Sequence, residues 1–129
     1  MRIFKTLIIV FCVVSIAGCK KPVFDYRKKY LGDYSFSVYQ ARDIGPGHYD
    51  TTYSTDGTIS KGSDLQSIMI TYTSHKTVEL ILYEDGSLQV KNCSYSCKGA
   101  FESVNKMMYT IYWDGLSGES TESVTGTKK

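Results

Sequence analysis

The side chains that could carry acid–base or nucleophilic chemistry are few in this chain of 129 residues. His48 and His75 are its two histidines, and histidine is the side chain that titrates near neutral pH. Each stands beside a turn signal, where a solvated histidine is the ordinary case. Ser117 lies in Gly-Leu-Ser-Gly, which lacks the Gly-x-Ser-x-Gly spacing of a hydrolase nucleophile. With no phosphate-binding glycine loop or calcium loop either, we expect neither an enzyme nor a bound cofactor.

The first 18 residues have the organisation of an export signal. Arg2 and Lys5 give a positive head, an apolar run follows from Leu7 to Ile16, and small residues precede Cys19. These are the marks of a secretory signal peptide. The alternative is a transmembrane helix. The stretch from Ile3 to Gly18 has 16 residues, however, which is fewer than the roughly 20 that span a bilayer.

The segment Ile16-Ala17-Gly18-Cys19 resembles a bacterial lipobox. This resemblance implies that the chain is cut after Gly18, that the Cys19 sulfur receives a diacylglycerol, and that Cys19 anchors the protein to a membrane. An aspartate after that cysteine would resemble an inner-membrane retention signal, and acidic residues there would resemble a surface-export signal. Lys20-Lys21 stands there instead, so the resemblance implies the outer membrane, facing the periplasm.

Cys93 and Cys97 are the cysteine pair that remains downstream. An even pair in an exported chain favours a disulfide, because the periplasm and the cell exterior are oxidising. Closing so short a loop contributes on the order of 2 kcal/mol to folding stability in the chain-entropy model. That would hold a turn together, but not a whole fold. Free thiols and a metal site are the alternatives. Zinc usually requires four closely spaced ligands, which two distant histidines do not supply, so we expect no metal.

Cleavage after residue 18 leaves 111 residues, enough for one domain. The removed segment holds two bases and no acid, so the remainder has 13 of each and no charge excess that would indicate nucleic-acid binding. Residues 19–30 are predicted to be a basic tether with a short helical lead-in. Such a tether either lies against anionic headgroups or is a solvated linker. Residues 31–129 are predicted to form an all-β domain.

From residue 31 onward, apolar and polar side chains alternate with the period of a β-strand. Turn signals separate seven or eight such segments, and residues 48–61 are either one bent strand or two strands turning at Asp56-Gly57. We predict a single antiparallel meander of seven or eight strands that curls into a small barrel, with a β-sandwich as the alternative. The predicted inward positions are Tyr34, Phe36, Val38, Ile68, Ile70, Tyr72, Val78, Leu80, Leu82, Leu88, Val90, Met107, Tyr109, Ile111 and Trp113.

The segment Tyr30-Leu31-Gly32-Asp33-Tyr34 resembles the opening of lipocalin-like (calycin) barrels. In those barrels a Gly-x-aromatic element starts the first strand and the aromatic ring closes one end; Gly32 and Tyr34 match it, with tyrosine in place of the commoner tryptophan. The chain is also similar in outline to small outer-membrane lipoproteins of the Bacteroidetes, with a KYLGDY-type first strand and a Val-x-Gly-x-Lys ending at 124–128. The resemblance implies a fold and a cellular location, but it does not imply an activity.

Eleven tyrosines are the compositional oddity, and tyrosine suits both ligand pockets and protein interfaces. The inward rings are expected to line either a ligand pocket or a filled core, and small barrels favour the filled core. We therefore predict a lipid-anchored structural or interaction module that binds an envelope protein. The alternative is a carrier of a small apolar ligand, and an immunity or inhibitor protein would share the same outline. The rings concerned are Tyr34, Phe36, Tyr72, Tyr109 and Trp113.

Overall fold

The computed structural model describes residues 24–91, 96–116 and 118–129. The predicted signal segment 1–18, Cys19 and Cys93 lie outside the described residues. A short 3₁₀ helix precedes eight strands. The helix spans Tyr26–Tyr30, and the strands are β1 Gly32–Ile44, β2 Gly47–Lys61, β3 Ser67–Tyr72, β4 Thr77–Leu82, β5 Ser87–Val90, β6 Ser96–Ser103, β7 Lys106–Gly115 and β8 Gly118–Lys128.

Each strand pairs antiparallel with the next, and β8 returns to pair with β1, which closes the sheet into an eight-stranded barrel. The predicted meander barrel of the small lipocalin-like type is thus confirmed, and the sandwich alternative is not formed. Asp56 and Gly57 do not turn the chain, because β2 runs through them in continuous register with β1 from Gly32↔Ile59 to Ile44↔Gly47. The turn falls instead at Gly45-Pro46, where glycine accepts a φ of 58°.

The barrel interior is filled by aromatic rings. The Phe36 ring lies 5.8 Å from the Tyr34 ring and 5.0 Å from the Tyr72 ring, centroid to centroid. Two glycines make room for it: a Cβ at Gly126 would lie 2.7 Å from the Phe36 ring, and one at Gly57 would lie 3.1 Å from it. Phe36 thus packs directly against the backbone of β2 and β8 in the centre of the barrel.

Most of the predicted inward residues are buried, as the alternation requires. Val78, Val90 and Trp113 are partly buried and pack against the core from its margins. Residues with the opposite parity on β1, such as Asp33, Ser35 and Ser37, are exposed. The two-residue period therefore correctly predicts which residues of the sheet face the core and which face the solvent.

The 3₁₀ helix plugs one end of the barrel, which we call the closed end. The Tyr26 hydroxyl donates to the Leu82 carbonyl at 2.6 Å, and the Tyr30 ring stacks on Phe101 at 4.0 Å between centroids. The Tyr34 hydroxyl donates to the Tyr30 carbonyl at 2.8 Å, and burial raises the pKa of Tyr34 to about 12. The short lead-in is stable because it is docked, since an isolated helix of this length is not.

A buried arginine fixes that lead-in to the barrel wall. Arg27 is 4% exposed, and its guanidinium donates to the Asp25 carboxylate at 2.8 and 3.0 Å. It also donates to the carbonyl oxygens of Asp64 and Ser67, at 2.6 and 2.9 Å. The Arg27 side chain, followed by Lys61, holds the pKa of Asp25 well below its usual range.

A second polar cluster lies on the outside of the wall near the same loop. Glu79 Oε1 accepts hydrogen bonds from the Ser67 hydroxyl at 2.6 Å and from the Ser63 backbone N–H and hydroxyl, both at 2.7 Å. These bonds lower the pKa of Glu79 to about 2, with the Ser67 bond the largest cause. The cluster holds the loop between β2 and β3 against β4.

Candidate functional site at the rim

Four strands extend beyond the others at the end opposite the 3₁₀ helix. β1, β2, β7 and β8 have 13, 15, 10 and 11 residues, against 6, 6, 4 and 8 in β3 to β6. β3 pairs only with Gly57–Lys61 of β2, and β6 reaches β7 no further than Tyr112. We call the overhanging segments, residues 40–44, 47–55, 112–115 and 118–122, the rim.

A buried carboxylate closes the barrel at the base of the rim. Glu122 is 2% exposed, and both of its oxygens accept hydrogen bonds from the Lys76 ammonium, at 2.7 and 2.9 Å. The Gln40 amide donates to the same carboxylate at 2.6 Å. Lys76 lies just before β4 and Glu122 on β8, so this polar layer spans the opening. A buried charge is tolerated when it is paired in this way.

Below that layer, two tyrosine hydroxyls meet inside the core. The Tyr72 and Tyr109 oxygens are 2.5 Å apart, and burial raises the pKa of both phenols above the ordinary value, so both remain neutral. Among the described residues, no buried side-chain nitrogen or oxygen lacks a hydrogen-bond partner. The interior is thus both packed and satisfied, up to the level of Glu122.

Two open grooves lie above the polar layer, and Arg42 lines both. One has a volume of about 320 Å³ and is lined by Arg42, Ile44, Trp113, Gly118, Glu119 and Ser120. The other has about 310 Å³ and is lined by Gln40, Arg42, Tyr49, Asp50 and Thr51. These volumes fall at the small end of ligand sites, which span roughly 300–1,000 Å³.

The Arg42 guanidinium makes no hydrogen bond or ion pair with any side chain that the structure describes. Its neighbours across the sheet are Tyr49 on β2 and Ser120 on β8. Five N–H donors beside aromatic rings can bind a carboxylate, a carbonyl or another ring. Asp50 and Glu119 line the same grooves, so the site is polar and carries both signs of charge, which does not favour anions in particular.

The two histidines are both exposed and lie in different parts of the fold. His48 Nδ1 lies 2.6 Å from Asp43 Oδ1, both side chains are exposed, and the hydrogen bond that the ring donates to the Asp43 carboxylate raises the pKa of His48. His75 occupies a turn with φ of 63°. Within residues 24–91, 96–116 and 118–129, no group of three or more metal-ligating side chains comes together.

The predicted site residues separate into a core set and a rim residue. Tyr34, Phe36, Tyr72 and Tyr109 are buried in the core, whereas Trp113 lies at the rim, partly buried.

The cysteine predictions concern residues at the edge of the described chain. Cys97 is buried on β6, opposite Ile111 of β7. Its predicted partner Cys93 and the predicted lipid site Cys19 lie outside the described residues. The disulfide and the acylation both stay predictions.

Sequence reasoning missed Gln40, Arg42, Lys76 and Glu122. Three of them share the inward parity of Val38 or Val124, so extending the alternation beyond the apolar residues would have placed them on the inner face. Lys76 had no such signal, because it lies between strands.

No protein-family model matches this chain, and no curated protein matches it either. In the described part of the chain, no helix is long and apolar enough to cross a membrane. What the protein does must therefore be inferred from its geometry.

Proposed function

We propose that this protein is a lipid-anchored interaction module of the cell envelope, tethered to the outer membrane through Cys19 and facing the periplasm. It binds another envelope protein through the rim and performs no catalysis. The observation that carries the proposal is the cluster of Arg42, Tyr49 and Trp113 on the inner face of the rim. Arginine, tyrosine and tryptophan are the residue types that dominate binding hot spots at protein interfaces.

Exposed apolar surface at the same end supports this assignment. Ile44, Tyr49 and Tyr53 are exposed on the inner face of the rim, and Tyr39 and Tyr112 are exposed on the outer face nearby. Aromatic rings presented together with a polar border are typical of a protein-binding surface.

The position of the anchor fits a partner that meets the rim. The lead-in docks at the closed end through Tyr26, Arg27 and Tyr30. β1 then runs 13 residues to the rim, about 40 Å along the strand. A tether that begins at residue 19 therefore holds the closed end near the membrane and leaves the rim at the far end of the barrel.

The alternative, a carrier of a small apolar ligand, has less support. A carrier needs an apolar chamber that removes most of the ligand from water. Here Phe36, Tyr72 and Tyr109 occupy the centre of the barrel, and the Lys76–Glu122 ion pair covers them. An apolar molecule would have only the open, partly charged grooves of the rim.

Photo-crosslinking in intact cells tests the proposal, with one crosslinking residue at each end of the barrel. Ile44 at the rim is 51% exposed, and Val104 at the closed end is 46% exposed, so the two sites are matched in size and exposure. We expect a discrete adduct from position 44, lost on adding Arg42→Ala, and none from position 104. Equal labelling from both positions, or none from position 44, would refute binding at the rim.

The anchor has its own test. Cys19→Ser should abolish labelling by radioactive palmitate and release the chain from the membrane fraction. Palmitate labelling that persists in Cys19→Ser would contradict the acylation of that residue.

A further inference from the structure

One edge of the rim is a segment of β2 whose side away from β1 pairs with no described strand. β2 pairs with β1 along its whole length, but β3 covers only Gly57–Lys61. All seven residues from His48 to Ser54 are exposed. Of the usual devices that keep a sheet edge from pairing with another chain, this segment has one acidic side chain, Asp50, and no lysine, proline or bulge.

The backbone groups on this edge can be assigned from the register. Ile44 and Gly47 flank the two-residue turn, so they and every second pair after them exchange hydrogen bonds between β1 and β2. The even-numbered residues of β2 therefore direct their N–H and C=O groups away from β1. The bond from the Thr73 N–H to the Asp56 carbonyl, 2.9 Å, follows this parity. Residues 48, 50, 52 and 54 thus offer a ladder of donors and acceptors.

The sequence of this edge is self-complementary about Thr51. It reads Tyr49-Asp50-Thr51-Thr52-Tyr53, with a tyrosine two residues on each side of the centre. If a second copy runs antiparallel with its Thr51 opposite Thr51, Tyr49 of each chain lies opposite Tyr53 of the other. These two tyrosine pairs are on the inner face. On the outer face, Asp50 then opposes Thr52, so no like charges meet.

We propose that two copies of this chain pair through the β2 edge, antiparallel and centred on Thr51. The hydrogen-bonded pairs are 50 with 52 and 48 with 54 of the second chain, each occurring twice. The sheets of the two barrels become continuous through β2, and the two closed ends lie at opposite ends of the dimer. Neither the docked lead-in nor the core has to move. The pairing rests on the fold and competes with the proposed function, because it covers Tyr49 and directs one closed end away from the membrane that would hold the other.

A cysteine placed on the two-fold axis tests the pairing in the Cys19→Ser chain exported to an oxidising compartment, because two membrane-anchored closed ends could not lie at opposite ends of a dimer. In this register Thr51 faces its own copy as a non-hydrogen-bonded pair, with Cα atoms about 4.5 Å apart, which is close enough for a disulfide. We expect Thr51→Cys to shift most of the chain to twice the monomer mass on a non-reducing gel. Thr58→Cys is the matched control, because Thr58 is exposed on the same strand but its edge is covered by Thr71 of β3.

Two more variants test the register. Tyr49→Cys lies off the axis, so it should give no more dimer than the parent chain. Adding Thr52→Pro to Thr51→Cys removes an N–H that faces the second copy and does not bond to β1, so the dimer should be lost while protease resistance is kept. Equal dimer from Thr51→Cys and Thr58→Cys, or a disulfide from Thr51→Cys to a different protein, would overturn the proposal.

Discussion

Phe36→Ala is the substitution that measures how completely the barrel is filled. Phe36 is 1% exposed and packs on the backbone at Gly57 and Gly126, and neither glycine has a side chain that can move into the space. Truncating a buried phenylalanine costs about 3–5 kcal/mol, and the cost is greatest where the site cannot collapse. We therefore expect a loss near the upper end, about 4–5 kcal/mol. At about 4–8 °C per kcal/mol, Tm falls by about 15–40 °C.

The assay is urea or thermal unfolding followed by circular dichroism, with Tyr39→Ala as the control. Tyr39 lies on the same strand but on its outer face and is 37% exposed, so its loss should cost no more than about 1 kcal/mol. The space left in Phe36→Ala is lined by apolar groups, so benzene should bind there and raise Tm. A loss below about 1 kcal/mol for Phe36→Ala would refute the filled core, because it would mean that the interior already has room.

Three further predictions concern the core hydroxyls, the polar cluster and the cysteines. Tyr109→Phe should cost about 1–3 kcal/mol by leaving the Tyr72 hydroxyl without its partner, whereas the double phenylalanine variant should be close to the parent in urea unfolding. The pKa of Glu79 is about 2 in the folded state, below its ordinary 4.5, so the Glu79 carboxylate contributes stability above pH 4.5 that is lost as the pH falls toward 2. Glu79→Gln should therefore reduce the fall of Tm between pH 4.5 and 2. An unchanged dependence of Tm on pH would contradict this. Mass mapping without reductant should show Cys93 linked to Cys97, and two alkylatable thiols would contradict the disulfide.

The parts of the fold that could be predicted from the sequence are those that depend on local alternation. The inner and outer faces of β1 can be assigned from the alternation in Tyr34-Ser35-Phe36-Ser37-Val38. The turn at Glu84-Asp85-Gly86 follows from its residue types. Closure of the sheet is less local, yet a chain of hairpin-length connections leaves few alternatives.

Other features depend on contacts between distant residues, which no local pattern reports. Asp56-Gly57 has the composition of a turn, but Gly57 lies within a strand, where a Cβ would clash with the Thr71 carbonyl oxygen and crowd the Phe36 ring. The pairing of Lys76 with Glu122 joins residues 46 positions apart in the sequence. Only the closed barrel brings them together.

The candidate site was the least predictable part. Trp113 was placed among the inward rings, and its parity is correct, but β7 continues beyond the end of β6, so Trp113 lies at the rim and not in the centre. The alternation of β1 could have placed Arg42 on the inner face, but it could not show that Arg42 lies at the rim. Its significance comes from the overhang, which depends on the unequal lengths of the strands.

Native mass spectrometry of the Cys19→Ser chain, which has no acyl group, tests most directly whether the barrel is filled. The chain is purified from a bacterial periplasm and measured alone and after mixing with an excess of palmitate, followed by solvent extraction. A filled barrel predicts only the mass of the protein itself, as one chain or two, in both cases and nothing in the extract. One apolar molecule retained per chain would contradict it and make the protein a carrier.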